Sequence, residues 1–154
     1  MYGNVFYFAH INAIGGIETM FWMLARKYAD RDITILYRTA DRAQLRRLRE
    51  LVRVRKWDGE RVRCRKLFCN YTADILDYAE AEEYSLILHA DYRASVYAGM
   101  APPVYPKVTR YFAVSQRVAE SFEALTGITP EVCYNPFIAD RPRRVLRLVS
   151  ATRR

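Results

Sequence analysis

Histidine and cysteine are scarce in this chain, and no apolar run is long; each shortage closes off a class of protein. The two histidines, His10 and His89, stand far apart and make no metal site, so none is expected. The three cysteines, Cys64, Cys69 and Cys133, show no CxxC spacing. An odd count of this kind argues against a disulfide scaffold or zinc finger and for free thiols in a reducing cytoplasm. No hydrophobic run approaches the roughly 20 residues that cross a bilayer. The first strand-like run begins at Asn4, which leaves no room for a cleavable leader. Internal repeats and low-complexity tracts are absent. So are GxGxxG, GxxxxGK[ST] and GxSxG, which removes the dinucleotide fingerprint, the P-loop and the nucleophile elbow.

What remains is a 154-residue chain, 51% hydrophobic, long enough for one domain with a substantial core. Its net charge of +8 is unevenly placed. Residues 42–66 hold eleven basic and three acidic residues, and 141–154 hold six arginines and no acid. The rest is slightly acidic. Basic segments of this kind attract phosphate in a nucleic acid, an anionic lipid surface or a nucleotide.

Unbroken apolar runs at Val5–Ala9, Ile33–Tyr37 and Ser85–His89 predict strands buried on both faces. Arg61–Phe68 reads as a more polar strand nearer an edge, and Thr109–Val114 and Glu131–Asn135 as further strands. Between them, Ile17, Met20, Phe21, Leu24 and Tyr28 recur at helical spacing. Ala40–Val52 and Thr72–Glu83 are read as helices, and Asp91–Met100 as a helical turn or two. Ser115 is placed to cap a helix over 116–126 that Gly127 stops. Strands alternating with helices predict an α/β, Rossmann-like doubly wound parallel sheet, whose ligands sit at the carboxyl ends of the strands. Val145–Ala151 reads as one more strand after a Pro- and Arg-rich stretch, with no helix to cover it. The predicted division is therefore a domain over 1–140 and, over 141–154, a linker with the first strand of a second, missing domain.

Gly15-Gly16 falls between a buried strand and a helix start. A tight turn alone accounts for it; a phosphate resting on free helix N–H groups, with no Cβ in the way, accounts for it equally. Glu18, in the first turn, either stabilises the helix dipole or meets a substrate hydroxyl. His89 ends its strand, and Asp91 and Tyr92 follow in the loop.

Taken together, His10-Ile-Asn-Ala-Ile-Gly-Gly-Ile-Glu-Thr-Met, Tyr111-Phe-Ala-Val-Ser-Gln-Arg-Val-Ala, Glu131-Val-Cys-Tyr-Asn-Pro-Phe-Ile and Val145-Leu-Arg-Leu-Val-Ser-Ala-Thr-Arg resemble, in order and spacing, the family-four retaining glycosyltransferases. The resemblance implies the N-terminal half of a GT-B fold, in which two Rossmann-like domains face each other across a cleft. It implies donor-phosphate contacts at Gly15, Gly16 and Arg153, a catalytic position at His89, and acceptor contacts among His10, Glu18, Asp91, Tyr92 and Ser115. No cofactor is expected, since the nucleotide-sugar is a substrate; the acceptor would be a glycan or lipid-linked. The family's donor pocket, including its lysine after Arg153 and its E-x7-E motif, has no counterpart here, so alone the chain is expected to be inert or nearly so. A separate chain carrying the donor half is a further expected partner.

The 42–66 arginines have two readings, a solvated face or a peripheral contact with the anionic inner face of a membrane. A competing function is a non-catalytic basic protein that holds nucleic acid or an anionic surface. It explains the charge but not the glycine turn, and no RNA- or DNA-binding motif supports it, so nucleic acid is not the expected partner.

Overall fold

The computed structural model describes residues 1–136 apart from 13, 14, 95, 96 and 98. The predicted linker, the strand Val145–Ala151 and Arg153 lie outside the described residues. Along the chain come β1 (Tyr2–Tyr7), β2 (His10–Ile11), α1 (Gly16–Lys27), β3 (Ile33–Tyr37), β4 (Thr39–Ala40), α2 (Arg42–Arg49) and β5 (Arg53–Lys56). There follow β6 (Val62–Asn70), a 3-10 turn (Asp74–Tyr78), β7 (Ala79–Leu88), β8 (Arg110–Ala113), α3 (Gln116–Thr126) and β9 (Glu131–Val132).

Seven strands form one sheet in the order β5-β3-β1-β6-β7-β8-β9, every neighbouring pair parallel. This is the α/β, Rossmann-like architecture, with strand order growing outward in both directions from the β1–β6 pair. Parallel strands covered on both faces need apolar residues on both, which is why β3 is buried at all five positions. One face gathers Phe6, Phe8 and Ile35 of the sheet with Phe21 and Ala25 of α1 and Leu48 of α2. The other packs Tyr7, Trp57, Leu67 and Leu86 against Phe122 of α3.

The helix termini follow their sequence signals. Ser115 is the N-cap of α3, its hydroxyl accepting from the Val118 N–H at 3.3 Å, and Gly127 takes φ +71° at the C-cap, a conformation that favours glycine. Asp41 caps α2 in the same way, accepting from Gln44 N–H at 2.8 Å.

Four predicted elements are corrected. Thr72–Glu83 is not a helix: the 3-10 turn ends at Tyr78 and β7 begins at Ala79. Alanine and glutamate favour helix, but Ala79 is buried while Glu80 and Glu82 are exposed, and Glu80 and Glu83 lie opposite Arg63 and Lys66 of β6. The Arg63 Nε–Glu80 and Lys66 Nζ–Glu83 contacts, both 2.8 Å, reward the extended form, and tertiary pairing overrides propensity. For the same reason β6, expected near an edge, is the central strand: its basic residues are met by acids on the next strand. Lys66, Glu83, Arg110 and Glu131 continue as a ladder of alternating charge across β6, β7, β8 and β9. The helix read over Ala40–Val52 is shortened to Arg42–Arg49, and Arg53–Lys56 forms an edge strand whose one apolar residue, Val54, gave little signal. Glu131–Asn135 contracts to Glu131–Val132.

Cys64 and Cys69 are buried, and burial pushes their thiols up to about 11 and about 12; Cys133 is exposed. Among the described residues no helix is long and apolar enough to cross a membrane.

Replacing the α3 cap, Ser115→Ala, is expected to cost about 1 kcal/mol of stability, read as a lower urea midpoint at unchanged slope.

Candidate functional site

In a sheet of this order the connections from β1 and β6 leave in opposite directions, opening a crevice at their carboxyl ends. Gly15 and Gly16 lie in the connection from β1 to α1, on this edge. Gly15 is the N-cap of α1 with extended backbone, and its N–H donates to Glu18 Oε2 at 3.2 Å. Glu18 thus closes the helix start as an intrahelical cap, and a Cβ on Gly15 would stand 2.7 Å from that oxygen. Gly16 has nothing within 4 Å of where a Cβ would be. Both glycines line a shallow cleft of about 420 Å³ with Thr19, Met20, Asn135 and Pro136.

His89 stands just past β7 with its Nε2 buried and without a hydrogen-bond partner. Burial lowers its pKa to about 4, so the imidazole is neutral at physiological pH. The ring of Tyr71 lies 5.1 Å from it, tilted by 36°. Tyr71 is 40% exposed and adopts φ +60°, the one described non-glycine residue with positive φ. It is the middle of a three-residue turn closed by the Thr72 N–H donating to the Asn70 carbonyl at 2.8 Å. Residues held in such strained backbone cluster at functional sites. Asn70, the last residue of β6, is 1% exposed, and neither Oδ1 nor Nδ2 has a partner.

Tyr71 also borders an open cavity of about 750 Å³ with Thr72, Asp74, Asp77, Tyr105 and Lys107. Beneath it Arg38 joins three elements. Its Nε donates to the Tyr7 hydroxyl at 3.1 Å, an amino group meets Asp74 at 2.7 Å, and the guanidinium lies 4.6 Å from the Trp57 ring centre.

The remaining sequence-predicted residues occupy separate places. His10 is exposed on the two-stranded β2–β4 ribbon, Nδ1 2.8 Å from Thr39 Oγ1. Asp91 meets Arg117 Nε at 2.6 Å, and hydrogen bonds from Arg117 and Ser121 hold its carboxyl below the usual range. Tyr92 packs 6.0 Å from Phe122 and 6.1 Å from Tyr97, and burial pushes its hydroxyl up to about 12. Ser115 is engaged in capping. Gly15 and Gly16 therefore line a cleft at the start of α1 with Glu18 capping it, His89 follows β7, Asp91, Tyr92 and Ser115 lie on the α3 side, and His10 stands on its own ribbon. Asn70 and Tyr71 were not among the predicted site residues; the available signal was a polar residue ending the apolar run Leu67-Phe-Cys69. Among the described residues no group of three or more His, Cys, Asp or Glu is placed to hold a metal ion.

Five of the eleven basic residues of the 42–66 segment are ion-paired within the molecule. Lys56 meets Asp58 at 2.6 Å, Arg61 and Arg63 meet Glu80, and Lys66 meets Glu83. Arg55 contacts both Tyr2 and Glu60. Arg47 lies over the Trp22 ring. Arg42, Arg46 and Arg49 remain exposed along one side of α2.

The neutral His89 has a measurable consequence. The unfolded imidazole, near 6.5, binds a proton more readily than the folded one, near 4. Stability is thus full above about pH 6.5 and falls as pH drops toward 4, by on the order of 3 kcal/mol. His89→Gln is expected to flatten unfolding free energy over that window, measured by urea titration at a series of pH values.

No family model matches the sequence, and no curated protein matches it. Among solved structures the chain is similar to Anabaena Alr3699/HepE in complex with UDP-glucose, with a TM-score of 0.59 and 15% identity. The match covers 89% of this chain and 44% of that one. The same protein in complex with UDP and glucose matches with a TM-score of 0.53 and 15% identity, over 89% and 45% of the two chains. The chain spans less than half the length of this neighbour, and at such identity the likeness shows the fold alone: an α/β, Rossmann-like architecture.

Proposed function

We propose that this chain is the acceptor-side domain of a sugar transferase that uses a nucleotide-sugar donor. The observation that carries the reading is the neutral imidazole of His89, its Nε2 buried and unpartnered, at the carboxyl edge of the sheet. The fold shared with a protein that was solved with UDP-glucose supports it.

In such a transfer the bond from the anomeric carbon to the diphosphate oxygen breaks, an acceptor hydroxyl oxygen bonds to that carbon, and the acceptor's proton passes to the departing diphosphate. A neutral imidazole suits this setting, because it hydrogen-bonds a sugar hydroxyl without adding charge beside the reacting centre. Gly15 and Gly16 open the helix start to the diphosphate, which takes the place of the Glu18 carboxylate on the Gly15 N–H. The second wall of the cleft corresponds to the part of the neighbour that this chain does not span, supplied by a following domain or a separate chain. In this reading Arg153 belongs to that wall and meets the diphosphate. The parent belongs with the family-four enzymes of GT-B type, builds a cell-surface polysaccharide or glycolipid, and works in the cytoplasm at the inner face of the membrane. Nucleic acid is disfavoured, because the sequence carries no RNA- or DNA-binding motif.

Titration calorimetry with UDP-glucose is expected to show weak, salt-sensitive binding that Glu18→Gln tightens by about two- to fivefold, since it removes a competing anion at the helix start. Absence of binding, or indifference to that change, overturns the phosphate position.

Membrane contact is assigned to Arg42, Arg46 and Arg49 on α2. Sedimentation with phosphatidylglycerol vesicles at low salt is expected to pull the chain down, and the triple change of these arginines to glutamate to leave it in the supernatant. A wild-type chain that stays in solution removes the contact.

A further inference from the structure

A buried side-chain amide normally finds partners for its donors and acceptor, and leaving them unmade is costly. Asn70 is 1% exposed, yet both polar atoms of its amide are unpaired, and the neighbouring His89 Nε2 is unpaired as well. These orphaned groups end adjacent central strands, since Asn70 lies opposite Ile87 and His89 follows two residues later. Ile87, and Phe68 two residues before Asn70, pack with Met20 and Phe21 of α1. By strand alternation the amide therefore lies on the α1 face, at the switch-point edge and on the side where the Gly15 turn begins. Thr34 also has an unpaired hydroxyl, but it is within β3 and away from this edge.

We propose that Asn70 is a specificity-determining residue, whose amide, together with the His89 imidazole, forms a preformed subsite for the hydroxyl groups of a neutral sugar, covered in the ligand-free chain by the Tyr71 ring. The inference rests on the proposed sugar-transfer reading and narrows it: the group recognised here is an uncharged polyol. An amide offers two donors and an acceptor, and a neutral imidazole one of each, which matches adjacent hydroxyls. Neither brings a cation for a phosphate, and the nearby charge felt by Tyr71 is the Glu18 carboxylate, which repels anions. Tyr71 suits the cover because its ring already rests on His89 while its left-handed backbone is strained. Rotation of the ring about its side-chain bonds uncovers the pair and leaves an aromatic face beside the sugar ring.

The test uses the 154-residue chain with glucose, N-acetylglucosamine and inorganic phosphate as probes. One of the sugars is expected to move the NMR signals of the Asn70 side-chain amide and the His89 ring saturably, and phosphate to leave them in place. Asn70→Leu, close in size and without polar atoms, is expected to melt at or above the wild-type temperature while its apparent sugar affinity falls at least tenfold. A purely structural amide gives the reverse, a lower melting temperature with no change in sugar response. An Asn70 signal indifferent to both sugars overturns the proposal in the wild-type chain, however the variant folds. Failure of UDP-glucose to bind, with the sugar response at Asn70 intact, would instead count against the nucleotide-sugar reading alone.

Discussion

The site depends on one topological constraint, the reversal of strand order between β1 and β6. A chain that builds outward in both directions from its central pair must send the two connections apart. The carboxyl ends of the central strands are then left without a covering segment of their own. Polar groups placed there can be withheld from water without being consumed by the fold. Asn70, Tyr71, His89 and the Gly15–Gly16 turn all occupy this edge, though they come from three separate stretches of chain.

The sheet is also divided along the strands. Toward the amino ends, Lys66, Glu83, Arg110 and Glu131 knit four strands by alternating charge, and Arg63 and Glu80 add a further pair. Hydrogen bonds from Lys66 and Arg110 keep the Glu83 carboxyl below its ordinary pKa, so the ladder stays ionised through neutral pH. Toward the carboxyl ends, the same strands carry Phe68, Leu86, Ile87 and Phe112, with Phe6 and Phe68 stacked at 4.6 Å. These pairs are charge-neutral, so the surplus of basic charge shown by the composition is carried by other residues.

The alternation of apolar runs with helical spacings made the fold class legible, and local chemistry marked individual ends: Ser115 and Gly127 bound α3 where their side-chain and backbone preferences place them. Elements set by partners were not legible. β7 begins six residues before its apolar run because Glu80 and Glu83 face Arg63 and Lys66. Nothing within residues 79–84 reveals that. β5 is extended because it borders β3, a fact of packing. At the site, His89 and the paired glycines were visible as residues that end or begin elements. Asn70 and Tyr71 were not, because an unpaired buried amide and a positive φ are properties of the assembled sheet rather than of a residue type.

The division of the sheet into a charged half and an apolar half grades the polarisability of the surroundings along each strand. Water and mobile ions screen the ladder, while Phe6, Phe68 and Ile87 give the strands an apolar interior further along. The salt ladder, which looks like mere stitching, lets the strands carry their charges well away from the chemistry.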